Sequence, residues 1–144
     1  MLRVTQTRSG GAKLAAEKGL NFPDTPLGLG ALTDEDRSHL DFLVANSDIV
    51  GYSFVQDAVD VAELQRELLQ RLPPGTPLPP LIAKIETRRA VANFPAIIVA
   101  AAQRQPLGVM IARGDLAVEI GYERLAEIQE EILWLCEAAH IPVV

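Results

Sequence analysis

Apolar and polar positions along the chain follow two periods, that of a buried strand and that of an amphipathic helix. The runs at 81–86 and 109–115 are apolar until their last residues, where charged side chains appear. Strands that are apolar along their length and charged only at their carboxyl ends are typical of a parallel α/β sheet, in which the ligand crevice lies at that end. We therefore expect the functional residues of this chain to lie where these two strands end.

Strands are predicted to recur through most of the chain. The residues at 81–86 and 108–113 are predicted as two strands, 49–55 as an earlier one, and 141–144 as the opening of another. The leading segment, rich in small and polar residues, is predicted to be a loop with one weak strand at 2–7.

Helical spacing of apolar residues marks five segments between and after these strands: 33–46, 61–72, 87–93, 96–103 and 125–139. Thr33 is predicted to cap the first helix, and Asp60 with Glu63 to form a capping box for the second. Pro95 is predicted to separate the third helix from the fourth. The last helix is predicted to bury one apolar stripe: Leu125, Ile128, Ile132, Leu135 and Ala139.

The alternation of strand and helix predicts βαβ crossovers and a parallel sheet. A complete (β/α)8 barrel needs about 250 residues, and three strands with the start of a fourth do not close one. The chain is then either a small open sheet or a piece of a larger barrel. Its end within a predicted strand favours the piece, so the expected fold class is α/β, a partial TIM (β/α)8 barrel.

Composition and charge narrow the classes of function. The 144 residues leave room for one domain, and 49% hydrophobic with 22% charged residues is ordinary for a globular protein. A net charge of -6 without any basic run argues against nucleic acid as a partner. The longest apolar run, 95–102, is far shorter than the roughly 20 residues of a membrane span, so no membrane partner is expected. A single cysteine excludes an internal disulfide and fits a reducing compartment, from which we expect a cytoplasmic protein.

The charged strand ends suggest a site for a divalent cation. Residues two apart on a strand point to the same side, so Lys84 and Glu86 are expected to lie side by side. If the strands are neighbours, Glu86 and Asp115 can reach one ion, and two carboxylates with water and substrate oxygens suit Mg²⁺. Gly114 lets a substrate approach the backbone closely. Such a site suits a substrate that becomes an enolate or transfers a phosphoryl group.

Each of these features also has a structural interpretation. Lys84 and Glu86 could form a solvated ion pair at a strand end, and Asp115 could cap a helix that starts at Leu116. Cys136 is expected to be a core residue rather than a nucleophile, because it lies on the apolar face of its helix. The two histidines lack any spacing typical of metal ligands.

Four motifs of the chain resemble, in order and rough spacing, those of the pyruvate kinase family. They are Lys18-Gly19-Leu20-Asn21-Phe22-Pro23, Ser53-Phe54, Ala83-Lys84-Ile85-Glu86 and Ala112-Arg113-Gly114-Asp115-Leu116-Ala117-Val118-Glu119. The resemblance implies a TIM-type barrel seen from its fourth strand to the start of its seventh. It also implies a division in which 1–18 is an N-terminal loop, a remnant of the return from a lid domain, and 19–144 is the partial catalytic barrel.

The resemblance assigns roles to individual residues. Lys84 resembles the lysine that stabilises phosphoryl transfer, and Glu86 and Asp115 resemble the carboxylates that hold Mg²⁺ or Mn²⁺. The backbone of Gly114 and Asp115 resembles the cradle for the substrate carboxylate, and Phe54 is expected to line the pocket. The family's K⁺ site would use residues outside this chain. One departure is the segment 55–57, which replaces a basic segment of the family.

The function implied by the resemblance is phosphoryl transfer from phosphoenolpyruvate to ADP, a step of glycolysis. A partial barrel exposes apolar edges and inner faces, so we also expect a homo-oligomer. The 144-residue chain alone is expected not to turn over phosphoenolpyruvate. Two other functions stay open at this stage. A metal-dependent pyruvate or enolate aldolase or lyase would share the metal but bind no ADP, and a non-catalytic barrel module would keep its function after Lys84→Ala.

Overall fold

The computed structural model describes residues 5–13, 15, 22, 25, 28 and 30–144 of the chain. Its strands are β1 (Val50–Tyr52), β2 (Leu81–Ile85) and β3 (Leu107–Ile111). Its helices are α1 (Asp34–Asn46), α2 (Ala58–Arg71), α3 (Arg88–Ala92), α4 (Phe94–Ala102), α5 (Arg113–Ile120) and α6 (Leu125–Ala138), with a 3₁₀ turn at Tyr122–Arg124. The predicted alternation of strand and helix is confirmed.

The three strands form one parallel sheet in chain order, β1-β2-β3. The predicted last strand extends this sheet, because Val143 forms a parallel bridge with Val109 and the amide of Val144 donates to the carbonyl of Val109 at 2.9 Å. Spatial order that follows chain order is what the wall of a β/α barrel requires. The chain is therefore α/β, with the architecture of part of a barrel.

The helices of the described part of the chain cover one face of the sheet. On that face Leu81, Ala83 and Ile85 are fully buried and belong to a core built with residues of α2 and α4, among them Val61, Leu64, Leu68, Phe94 and Ile97. The register aligns Gly51, Ile82 and Gly108 on the opposite face. We call this surface, with Lys84 and Met110 further along the strands, the open face. It corresponds to the inner surface of a barrel wall, and Lys84 lies near its carboxyl end.

The first two helices start at capping boxes. Thr33 caps α1 as predicted, and Asp36 completes the box. The prediction for α2 was wrong, because the helix starts three residues earlier, with Asp57 as the cap and Asp60 at the third helical position. Asp57 and Asp60 have the same three-residue spacing as the predicted pair, so they can form a capping box equally well. Because Ala58 and Val59 are compatible with a helix, the helix starts at the earlier pair.

Other boundaries also differ from the predictions, and the first strand, predicted over 49–55, is limited to Val50–Tyr52. The break between α3 and α4 falls at Asn93, because Pro95 is accepted within the first turn of α4. Strand β3 ends at Ile111, so Arg113 belongs to α5 and not to a strand. Asp115 does not cap α5 but lies within its first turn, since the cap residue is Ala112.

The buried stripe of α6 is rotated relative to the prediction. Ile128 and Ile132 are buried as expected, but Leu135 is 40% exposed and Ala139 is exposed, whereas Cys136 is fully buried. The predicted weak strand at 2–7 lies at 2–4 outside the described residues, and 5–7 form no strand. Among the described helices, not one combines the length and the hydrophobicity that crossing a membrane would demand.

Candidate functional site

Lys84 and Glu86 lie side by side at the end of β2. The Lys84 ammonium is 2.9 Å from one carboxylate oxygen of Glu86, and the side chains are 28% and 2% exposed. The solvated ion pair considered from the sequence is therefore wrong for Glu86, whose carboxylate is buried. A buried carboxylate is tolerated only with a charged partner and hydrogen bonds, and Lys84 supplies the charge.

The end of β1 supplies the remaining partners of this pair. The Lys84 ammonium donates to Ser53 Oγ at 2.9 Å, and the backbone N–H of Phe54 donates to the second carboxylate oxygen of Glu86. An ammonium has three donors, so one N–H of Lys84 is left for a ligand. Sequence reasoning did not assign a role to Ser53. Its position at the carboxyl end of the neighbouring strand was the available signal.

Phe54 adopts an unusual backbone conformation. Its φ of 53° lies in the left-handed region, which bulky residues rarely enter and which costs on the order of 1–3 kcal/mol. This conformation belongs to the turn whose N–H faces Glu86. The side chain is 47% exposed and borders a groove of about 1400 Å³ between α1, the end of β1 and α3. Lys84, Glu86 and Asp115 are not among the residues that line this groove.

Asp115 and Gly114 occupy the first turn of α5. The amides of the first turn of a helix have no acceptor within the helix. In α5 no side chain of the described residues caps them either. A Cβ added at Gly114 would meet no atom within 4 Å, which means that the space beside this backbone is open. Within the described residues the Asp115 carboxylate makes no hydrogen bond or ion pair with a side chain, those of Lys84 and Glu86 included.

The carboxyl ends of β2 and β3 meet at one edge of the sheet. Ile85 is in register with Ile111, and the amide of Ala112 donates to the carbonyl of Ile85 at 3.2 Å. Glu86 thus leaves β2 beside the segment that leads to Asp115. The described residues contain no group of three or more histidine, cysteine or acidic side chains that could hold a metal ion alone. Two carboxylates at one edge fit an ion such as Mg²⁺, which keeps much of its water and seldom uses an all-protein cage.

The donor chemistry of these carboxylates also fits a divalent cation. Each oxygen of Glu86 has one protein partner, and a carboxylate oxygen has a second lone pair. Glu86 therefore retains acceptor capacity although it is buried. Cys136 offers no comparable chemistry, because burial raises the pKa of its thiol and keeps it protonated, in agreement with its prediction as a core residue.

Comparison with protein families gives one match that spans the chain. The family model described as pyruvate kinase, barrel domain, matches residues 2–144. The match includes the ends of β1, β2 and β3 and so covers every candidate residue described above.

Individual relatives give the same result. A protein named pyruvate kinase from Debaryomyces hansenii is 33% identical over 144 residues, which cover 99% of this chain and 26% of that protein. A pyruvate kinase from Geobacillus stearothermophilus is 37% identical over 142 residues, with 98% of this chain and 23% of that protein covered. One from Encephalitozoon cuniculi is 36% identical over 132 residues, which are 91% of this chain and 28% of the relative. The chain spans about a quarter of the length of these curated relatives.

Proposed function

Because the chain belongs to the pyruvate kinase family, whose barrel-domain model matches it from residue 2 to residue 144, we propose that it forms part of the catalytic barrel of a phosphotransferase. The reaction is transfer of a phosphoryl group from phosphoenolpyruvate to ADP. The observation that carries the proposal is the buried Glu86 carboxylate, held by Lys84 and by the Phe54 amide beside the start of α5. Glu86 and Asp115 hold a divalent cation, Mg²⁺ or Mn²⁺, in this assignment.

Each remaining residue of the edge has a role in the proposed reaction. Lys84, with one donor still available, places positive charge where the transferred phosphoryl group carries negative charge. The amides of Gly114 and Asp115, at the positive end of α5, receive the substrate carboxylate. The lining role of Phe54 stays a prediction, because its partly exposed ring borders the groove beside α1 and α3, which Lys84, Glu86 and Asp115 do not line.

The divalent cation would neutralise charge shared between the enol oxygen and the phosphoryl oxygens. The chain's own contribution is to hold Lys84 and Glu86 in fixed positions beside that charge. Lys84 is tied to β1 through Ser53, and Glu86 is tied to β1 through the Phe54 amide, so neither side chain has to reorganise when a substrate arrives.

The wider setting follows from the same assignment. We place the reaction in glycolysis and the protein in the cytoplasm, as a homo-oligomer. A K⁺ requirement would depend on residues outside this chain. The aldolase or lyase alternative is not favoured, since the relatives quoted above are all named pyruvate kinase. We expect the 144-residue chain alone to produce no pyruvate, because the substrate is enclosed by elements of the family that this sheet does not supply.

Binding of Mn²⁺ to the chain tests the proposed site. We expect one ion to bind, and Glu86→Gln and Asp115→Asn each to weaken its binding by about tenfold or more, because each removes a charged oxygen ligand. The measurement is a titration followed by electron paramagnetic resonance of free Mn²⁺. Lys84→Ala should not weaken Mn²⁺ binding, because it removes a positive charge from beside the site.

The matched control is Glu130→Gln, which removes one carboxylate from the exposed surface of α6. It should leave Mn²⁺ affinity unchanged. Equal loss of affinity in Glu130→Gln and Glu86→Gln would mean that the ion responds to net charge alone, and the proposed site would be refuted. Competition by ADP with a fluorescent nucleotide then separates a kinase from a lyase in the full-length protein.

A further inference from the structure

The turn that follows β1 is held in place by α3. The guanidinium of Arg89 donates to Oδ2 of Asp57 at 2.6 Å, and the amide of the Asn93 side chain donates to the carbonyl of Gln56 at 3.1 Å. Both donors lie at α3, and both acceptors lie two or three residues after Phe54. The chain that follows Phe54, the left-handed residue whose amide binds Glu86, is thus held by α3.

Asp57 serves two elements at once. Its Oδ1 accepts hydrogen bonds from the amides of Val59 and Asp60, at 2.9 and 3.2 Å, and caps α2. Its Oδ2 is used by Arg89. With both oxygens engaged, the side chain fixes the start of α2 relative to α3. The turn between β1 and α2 therefore has little freedom to move away from Glu86.

Helix α3 is itself attached to Glu86. Thr87 follows Glu86 directly and caps α3 by accepting a hydrogen bond from the amide of Ala90 at 3.1 Å. The contacts form a closed ring. Glu86 leads into α3, Arg89 of α3 holds Asp57, and the turn before Asp57 returns the Phe54 amide to Glu86.

We propose that Arg89 and Asp57 are positioning residues for Glu86: their ion pair holds the turn at Phe54 so that its amide fixes the rotamer of the carboxylate. This inference rests on the proposed function, in which Glu86 binds the divalent cation. It also gives a physical account of the acidic side chain at Asp57, because the opposite charge is supplied by Arg89.

Because Arg89 is exposed, a substitution there can change the position of the Phe54 turn without unfolding the protein. Its side chain is 62% exposed and the pair is partly solvated, so its loss removes little stability. Partners that orient a metal ligand nevertheless affect metal affinity by about 10- to 100-fold. Loss of Arg89 should therefore act on the turn and on the ion more than on the fold.

The test uses the whole chain with Arg89→Ala, the conservative variant Arg89→Lys, and Arg104→Ala as a matched control. Arg104 is exposed, and its side chain makes no ion pair within the described residues. The first measurement is the hydrogen exchange and the ¹H–¹⁵N shift of the Phe54 amide without metal. The second is Mn²⁺ affinity, and circular dichroism checks that each variant is folded.

We expect Arg89→Ala to speed exchange of the Phe54 amide and to weaken Mn²⁺ binding, each by about tenfold. Arg89→Lys should restore most of both, because it retains the charge beside Asp57, and Arg104→Ala should match the wild type. An unchanged Phe54 amide in folded Arg89→Ala overturns the inference, as does an equal effect of Arg104→Ala.

The two proposals fail in different ways. If wild-type chain binds no Mn²⁺, the proposed function is lost, while the Phe54 amide still decides whether Arg89 holds the turn. If Mn²⁺ binds and depends on Glu86 but not on Arg89, the metal site stands and the positioning role is wrong.

Discussion

Two carboxylates of this chain show how neighbouring donors decide what a single residue does. Glu86 is buried, and one of its oxygens faces the Lys84 ammonium while the other accepts a hydrogen bond from the Phe54 amide. Asp36 is exposed at the start of α1, where the hydroxyl and then the amide of Thr33 donate to it and lower the pKa of its carboxyl below the ordinary value. The first arrangement fixes a carboxylate at the proposed site, and the second completes a helix cap.

The lowered pKa of Asp36 predicts a pH-dependent contribution to stability. A carboxyl whose pKa is lower in the folded state stabilises fully above its unfolded value, about 3.9, and loses this as the pH falls through the folded value. We expect Asp36→Asn to be less stable than wild type by up to about 1 kcal/mol at neutral pH.

The measurement is urea denaturation at a series of pH values. The difference between wild type and Asp36→Asn should shrink steadily below about pH 4. Glu35→Gln, in the same helical turn, is the control and should show a smaller change. A difference that stays constant down to about pH 2 would contradict the assigned hydrogen bonds.

At the scale of elements, α6 shows that helical spacing predicts a helix better than it predicts which side is buried. The stripe expected from the sequence included Leu135, which is 40% exposed, whereas Ile132 and Cys136 are buried as expected. Residues 132, 135 and 136 are all compatible with one apolar face at helical spacing. The direction in which α6 packs against α5 decides between them.

Alanine substitutions on α6 test this assignment. Ile132→Ala should lower the free energy of unfolding by about 2–5 kcal/mol, because it leaves a cavity at a position that is 1% exposed. Leu135→Ala should cost less than about 1 kcal/mol, since its side chain is already partly in water. Both are measured by chemical denaturation, and equal costs would show that the sequence-based stripe was right.

At the scale of the whole molecule, the unequal covering of the two sheet faces is the main feature. One face lies under α2 and α4, whereas the open face presents Ile82 and Met110 between glycines and has an apolar groove of about 230 Å³ at its amino end. Exposed apolar surface of this kind promotes association. Self-association of the 144-residue chain through this face can therefore be tested directly.

We expect the chain to self-associate through the open face. Ile82→Lys should reduce the average molecular mass in solution, because it places a charge at the centre of that face. The control is Val99→Lys, at an exposed position of α4, which should leave the mass unchanged. Light scattering over a range of concentrations measures this. A wild-type chain that remains monomeric throughout would contradict the prediction.

The local sequence determined the elements and their order. Apolar runs and the Thr33 cap each act over a few residues, so strand and helix alternation could be predicted, and with it the parallel sheet. The juxtaposition of Lys84 and Glu86 was predictable for the same reason, since it needs only the two-residue period of a strand.

Only the tertiary structure decided the surroundings of that pair. Ser53 lies 31 residues from its partner Lys84 along the chain, and Phe54 lies 32 residues from its partner Glu86. Contacts of this turn with the end of β2 and with α3 offset the strain of the left-handed conformation of Phe54. No local pattern encodes such contacts, because they arise when separate strand ends are brought to one edge of the sheet. The roles of Arg89 and Asp57 belong to the same class, and for the same physical reason.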